Sequence, residues 1–266
     1  MPILTHEQKV KIAQNRAADE PAARDDKALT YPVKKSNEMI QRSRYSLTLT
    51  EQRLLLYLIS RIQKSDKGQK RYKVKIRDAC KVCGFDIKNL DGRTYKAVYD
   101  AFSALRDKGF TVYPESGGRT RCAWIERPHQ DEKGNMEFNF DPEIVPYLFD
   151  VQKKFTMYQL ENVARMRSTY GIRLYELLKS YENIRHLKID LAKLRGLLDA
   201  EEKSYTKYTR FRERVLEPAL KDIAFTDLKV DYIEHKTGRK VTEIEFIIDP
   251  AGAELYERRG DFGSEE

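Results

Sequence analysis

The stretch KSYTKYTRFRER, Lys203–Arg214, carries five Lys or Arg residues against a single acid, Glu213. Cations at that density suit an anionic ligand with many charges, and nucleic acid is the commonest. Arg and Lys grip phosphates or read guanine edges, and the hydroxyls of Ser204, Thr206 and Thr209 reach phosphates or thymine methyl groups. At helical period Tyr208, Val215, Ala219 and Ile223 share one side and are expected in the core. Thr206, Lys207, Arg210, Glu213 and Arg214 fall on the opposite side. A run of this kind is most often only a solvated helix face, so its place in the chain must separate the two readings.

Three further clusters suit the same chemistry. The turn HKTGRK offers Lys236, Arg239 and Lys240 around a glycine, placed to lie along phosphates. KNLDGRTYK offers Lys88, Arg93, Thr94 and Lys96, with its charge diluted by Asp91 and Asp100, so a weaker and more phosphate-directed contact is expected there. The loop SGGRTR adds Arg119 and Arg121.

Other chemistries find less support. Cys80 and Cys83 form a CxxC, but a closed zinc site needs four ligands, and only Cys122 and distant histidines remain. Core cysteines are the expectation, with neither metal nor cofactor. There is no GxxxxGK[ST] sequence for a nucleotide-phosphate loop. His6, His129, His186 and His235 stand singly, so no histidine pair holds a metal beside any of the sixteen tyrosines. A strand-nicking enzyme is therefore disfavoured against a non-enzymatic binding protein.

Composition agrees with this frame. The chain has 266 residues, 40% hydrophobic and 35% charged, with a formal net charge of +8. Two domains of ordinary size fit that length. Three cysteines point to a reducing compartment, and the opening MPILTHEQKVKIAQ has no apolar core of a leader. The longest strongly apolar run, Leu54–Ile59, is too short for a membrane span. A cytoplasmic protein without membrane contact is expected.

The elements that must position the cations occur twice. ALRDKGFT at 104–111 matches ALKDIAFT at 219–226, an offset of 115, and the Lys-Ile pairs at 75–76 and 188–189 keep nearly the same spacing. The first half reads helix (from Thr50 as N-cap), strand RYKVKI, helix RDACKVCG closed by Gly84, helix RTYKAVYDAFSALRDKG, then TVY, RCAWIER and MEFNF as strands. The long turn PHQDEKGN joins the last two. The second half repeats it: helical YQLENVARMRSTYGIRLYELLKSYE, strand HLKI, helix DLAKLRGLL, helix KSYTKYTRFRERVLEPALKD and a hairpin closed by HKTGRK. The class is α+β, with two tandem winged helix-turn-helix domains related by an internal repeat. Expected limits are a polar tail over 1–36, domain one over 37–150, domain two over 151–250 and an acidic tail over 251–266. Pro218 is expected to kink the third helix of domain two. The run Lys203–Arg214 then opens that helix, which favours nucleic acid over a merely solvated face.

Three segments carry a closer likeness: NEMIQRSRYSLTLTEQRLLLYLIS, FTMYQLENVARMRSTYGIRLYELLKSY and FRERVLEPALKDI. Across about residues 36–248 the chain resembles the initiator Rep proteins of iteron-bearing plasmids. That resemblance implies double-stranded origin DNA as partner, with monomers on directly repeated iterons and recruitment of host replication proteins such as a helicase or initiator. It also implies self-association through the first domain, the dimer binding an inverted operator and repressing its own gene. The family's main base-reading helix corresponds here to Lys203–Arg214. The rival reading is a winged-helix transcription regulator, which shares every contact residue and lacks the initiator role.

Overall fold

The computed structural model describes residues 29–66, 68, 70–114, 117–149 and 154–250. Most of the polar tail expected over 1–36 and the acidic tail over 251–266 lie outside the described residues.

In the first unit, α1 (Asn37–Arg42) and β2 (Ser43–Arg44) lead into α2 (Leu49–Ile59). A capping box starts α2: Thr48 Oγ1 accepts the Glu51 N–H, and the Glu51 carboxylate accepts the Thr48 N–H. The cap thus lies two residues before the expected one, because Thr50 has no acid three positions on. Leu54, Leu55, Leu58 and Ile59 go into the core as their spacing requires. β3 (Tyr72–Lys75) alternates buried and exposed residues, and α3 (Ile76–Val82) ends at Gly84, whose φ of +91° suits a residue without Cβ. α4 (Gly92–Asp107), capped by Asp91, buries Val98, Ala101, Phe102 and Leu105.

After α4 the chain makes more strands than the repeat requires. β4 (Phe110–Val112) lies between β2 and β5 (Thr120–Cys122), while β6 (Ile125–Gln130) and β7 (Asn135–Phe140) join β3. RCAWIER, expected as one strand, is divided between these two sheets. The break falls at Trp124, which is fully buried, stacks on Phe110 at 4.1 Å and meets Tyr45 edge-on at 4.9 Å. The expected long turn is also shorter, since Pro128, His129 and Gln130 belong to β6. A register shift between Glu126 and His129 accommodates the proline, which has no ladder donor.

A short helical stretch, Pro142–Ile144 and then α5 (Val145–Leu148), ends this unit. The second unit opens with β8 (Phe155–Gln159), α6 (Glu161–Ala164) and α7 (Thr169–Lys179). The long helical stretch expected here is therefore a strand and two helices, because Ser168 caps α7 by accepting the Tyr170 and Gly171 N–H groups. Then come β9 (His186–Asp190), α8 (Leu191–Leu197), α9 (Tyr208–Phe211), a π-helical turn (Arg212–Leu216), α10 (Glu217–Ile223), and the hairpin β10 (Leu228–Thr237) and β11 (Lys240–Pro250). The repeat is close at the level of elements. α3 and α8 are both seven residues long, and α4 and the run Tyr208–Ile223 both span sixteen, 116 positions apart.

The two units meet along a ribbon the sequence did not announce. β1 (Pro32–Ser36) pairs antiparallel with β8, so five residues assigned to the polar tail are structural, and Leu29 and Val33 are buried. Lys35, on the inner face, is 1% exposed; its Nζ donates to both carboxylate oxygens of Glu176 on α7, at 2.7 and 2.9 Å. Tyr158 donates its hydroxyl to the same carboxylate at 2.6 Å. Removing one partner of a buried pair costs far more than the pair contributes, because the other charge stays in a medium that cannot solvate it.

Cys80, Cys83 and Cys122 are buried free thiols, and among the described residues no group of three or more His, Cys, Asp or Glu could hold a metal. Burial pushes Cys80 and Cys122 up to about 11 and Cys83 up to about 12. Among the described residues no helix is long and apolar enough to cross a membrane.

Two outcomes are expected. Glu176→Gln lowers the unfolding free energy by about 3–5 kcal/mol in urea titrations, and the joint change with Lys35→Met restores most of it. At pH 8, where the thiols of the folded chain hold their protons, iodoacetamide leaves all three cysteines unmodified in the native protein and alkylates all three in urea, as read by intact mass.

Candidate nucleic-acid interface

In the second unit the cations of Lys203–Arg214 are sorted by the fold. A 3-10 turn, Lys203–Tyr205, comes first and the helix proper starts at Tyr208, so Lys203, Ser204 and Thr206 sit in the approach rather than on the helix. Lys203, Ser204, Thr206, Lys207, Thr209, Arg210 and Arg214 are all exposed. Among the described residues Lys203, Lys207, Arg210 and Arg214 make no ion pair within the chain, so their charge is open to an outside anion. Ser204 donates to Glu202 at 3.2 Å and Thr206 to the Lys203 carbonyl at 2.8 Å. Both hydroxyl oxygens still have lone pairs, but the protons are committed locally.

Arg212, the fifth cation of the run, points the other way. It is half-buried and lies 3.4 Å from Glu217 and 3.8 Å from Glu234. Tyr208 donates its hydroxyl to Glu234 at 2.7 Å, tying the helix start to β10. Arg195 on α8 donates to the Thr206 carbonyl at 3.2 Å and covers the Phe211 ring at 5.1 Å, which holds the approach against the second helix. Val215, Ala219 and Ile223 are buried as the wheel requires. Phe211 joins them, and Tyr208 is only half-buried.

The interruption expected from Pro218 takes the form of the π-helical turn. The Glu217 N–H reaches back five residues to the Arg212 carbonyl, so the chain enters Pro218 from a wider turn that does not need the missing donor.

The β10–β11 hairpin is the wing. Gly238, at φ +62°, makes its two-residue turn, with Lys236, Arg239 and Lys240 exposed around it and a bulge between His235 and Lys236. Below the tip Glu245 accepts from His186 at 2.9 Å and is also bonded to His235. These contacts hold its carboxyl below the usual range.

The first unit distributes charge differently. Arg93 lies 3.4 Å from Asp91 and Lys96 2.6 Å from Asp100, so the two acids that dilute the charge in sequence are also the spatial partners. Thr94 donates to Asp91 as part of the helix cap, and Lys88 is exposed on the preceding loop. Arg119 and Arg121 come together with Thr111 and Tyr113 around a recess of about 390 Å³, and the Arg44 guanidinium is 5.5 Å from the Tyr113 ring. A larger cleft of about 710 Å³ between α4 and the β6–β7 hairpin carries Lys75, Arg77, Tyr95 and Lys133. Sequence reasoning passed over these cations because they are scattered along the chain; only the fold of β3 onto β7 gathers them.

Three of the tyrosines, one each on β8, α7 and α9, are poor nucleophiles. Burial, together with acceptor carboxylates, pushes the phenols of Tyr158, Tyr175 and Tyr208 well up, which keeps the proton on oxygen.

Comparison with known proteins places this architecture. A replication initiation protein of Escherichia coli is 26% identical over 234 residues, covering 82% of this chain and 69% of the relative. An uncharacterized 27.6 kDa protein of the same organism is 25% identical over 205 residues, covering 72% and 84%. The crystal structure of the Pi initiator protein in complex with iteron DNA superposes with a TM-score of 0.64 at 19% identity, covering 83% of this chain and 98% of that one, and it shares the fold. The model of the initiator replication protein first winged-helix domain matches residues 32–179, running past the start of the second unit as the element repeat divides the chain, and the model of the second matches 190–257. With both winged-helix models matched in order along one chain, this protein belongs to the initiator replication protein family.

Proposed function

We propose that the chain initiates plasmid replication by binding directly repeated iterons in duplex origin DNA, without catalysis of its own. The observation that carries this reading is the open cationic face Lys203, Lys207, Arg210 and Arg214 at the start of the third helix of a winged unit, flanked by a wing tipped with Lys236, Arg239 and Lys240. A duplex major groove admits one helix, whose first turns reach base edges, and a wing beside it grips phosphate. The Pi initiator, which shares the fold, was solved on iteron DNA, and this supports the same ligand here.

The second unit, over 151–250, is the main reader. The first, over 37–150, contributes auxiliary phosphate contacts and the dimer contact. As a dimer the protein represses its own gene at an inverted operator, and as an initiator it recruits the host helicase. Lys88, Arg93, Thr94, Lys96, Arg119 and Arg121 are phosphate-directed on this reading, since the acids beside Arg93 and Lys96 compete with any base contact.

Neutralising about six to ten phosphates gives a log–log slope of affinity against salt of about −5 to −9, and a slope near zero on duplex DNA rejects the reading. Arg210→Ala costs about 1–3 kcal/mol and relaxes the preference at one base pair, measured by binding to a set of single-base variants. An equal loss on random duplex makes Arg210 a phosphate contact instead. An origin fragment that replicates in a host lacking this protein excludes the initiator role.

A further inference from the structure

A guanidinium occupies the same place in both units. Arg53 and Arg173 each stand five residues after the N-cap of the first helix, Thr48 and Ser168. Each holds the C-terminal end of the second helix of its own unit. Arg53 Nη1 donates to the Cys83 carbonyl at 2.8 Å; Arg173 Nε and Nη2 donate to the Leu197 carbonyl at 2.9 and 2.7 Å. Each also crosses the seam. Arg53 Nη2 donates to the Met166 carbonyl at 2.5 Å, and Arg173 Nη2 to the Ser43 carbonyl at 2.9 Å. The two struts are reciprocal, one from each unit to the other.

The chemistry calls for arginine. Carbonyls at a helix C-terminus have no partner within the helix and carry the negative end of its dipole. A guanidinium stays charged when buried and presents donors in a planar fork, so it serves two carbonyls at a fixed angle; an ammonium is a point charge without that geometry. Arg173 is buried, and its guanidinium also lies 3.8 Å from the centre of the Tyr45 ring of the first unit. Room is kept beside the first strut, where a Cβ at Gly84 would come within 2.7 Å of Arg53 Nη1. In the last turn of α8 a Cβ at Gly196 would lie 2.7 Å from the guanidinium carbon of Arg44, a first-unit residue, so the two units also approach closely there.

We propose that Arg53 and Arg173 are positioning residues that lock the two helix-turn-helix turns into one frame, so that both units grip a single stretch of duplex together. Each strut ends at the turn that precedes a third helix, α4 after Cys83 and α9 after Leu197, so displacing one unit displaces the reading helix of the other. The DNA part of this inference rests on the duplex-binding reading above; the frame itself does not.

The test uses the full chain with Arg53→Lys and Arg173→Lys, singly and together. Spin labels on Asp107→Cys and Lys229→Cys, both exposed, attach selectively because the native thiols are buried. The parent chain gives one narrow inter-label distance distribution without DNA, and each lysine variant broadens it while circular dichroism and cooperative melting show the units folded. On DNA flanking the gene, each variant shortens the hydroxyl-radical footprint and lowers the salt slope to about half. Affinity falls about tenfold or more as the second grip is lost, and the double variant is no worse than the weaker single. An unchanged distance distribution in folded variants overturns the proposal, as does a full-length footprint with the parent slope. If Arg173→Lys fails to fold, the half-buried Arg53→Lys decides alone. Absence of duplex binding by the parent chain rejects the functional reading, and the distance measurement still decides the frame.

Discussion

Lys35 and Glu176 leave water together, and the seam between the winged units is built around that fact. Two full charges in an apolar interior are tolerated only at contact distance with their remaining hydrogen bonds met. The ribbon β1–β8 and helix α7 meet at this pair, and Tyr158 adds a third hydrogen bond to the carboxylate. A hydrophobic seam of the same area could slide; a buried ion pair specifies one alignment. The arginine struts, the Gln41–Ser180 contact at 3.0 Å and the ribbon ladder join the same two units.

Electrostatics divides the surface along the same logic. Where a cation has an acid three or four positions away on its own helix, as Lys96 has Asp100, its field is largely cancelled nearby. Where the neighbours are threonines, serines and other cations, as around Lys207, the field extends into solvent. The +8 of the whole chain is thus less informative than the places where positive charge is left unpaired.

Much of this was legible from residue order, because helices and hairpin signals are local. The repeat, the cap at Gly84, the alternation in Tyr72–Lys75 and the buried stripe Val215, Ala219 and Ile223 follow from period and turn chemistry alone. The ribbon was not legible, since Lys34 and Lys35 read as tail polarity and only a partner 141 residues away makes Lys35 an interior residue. The division of RCAWIER between two sheets escaped for the same reason. Trp124 packs on Phe110 and Tyr45, and neither pairing has a signature within a short window. At the interface the exposed cations were visible in sequence, whereas the inward turn of Arg212 depends on Glu234 from a strand more than twenty residues on.

The π-helical turn at Arg212–Leu216 separates two obligations that a regular helix would force on the same residues. Lys207 and Arg210 before it and Arg214 within it are exposed; after it, Ala219, Asp222 and Ile223 are held by the body of the unit, with Asp222 accepting the Arg167 and Ser168 N–H groups. Substitution in the outward sector therefore costs folding little. Over generations such a chain can change the side chains it presents on that face while keeping its architecture. Divergence among relatives should then concentrate in a few side chains upstream of Leu216 and spare the residues downstream of it.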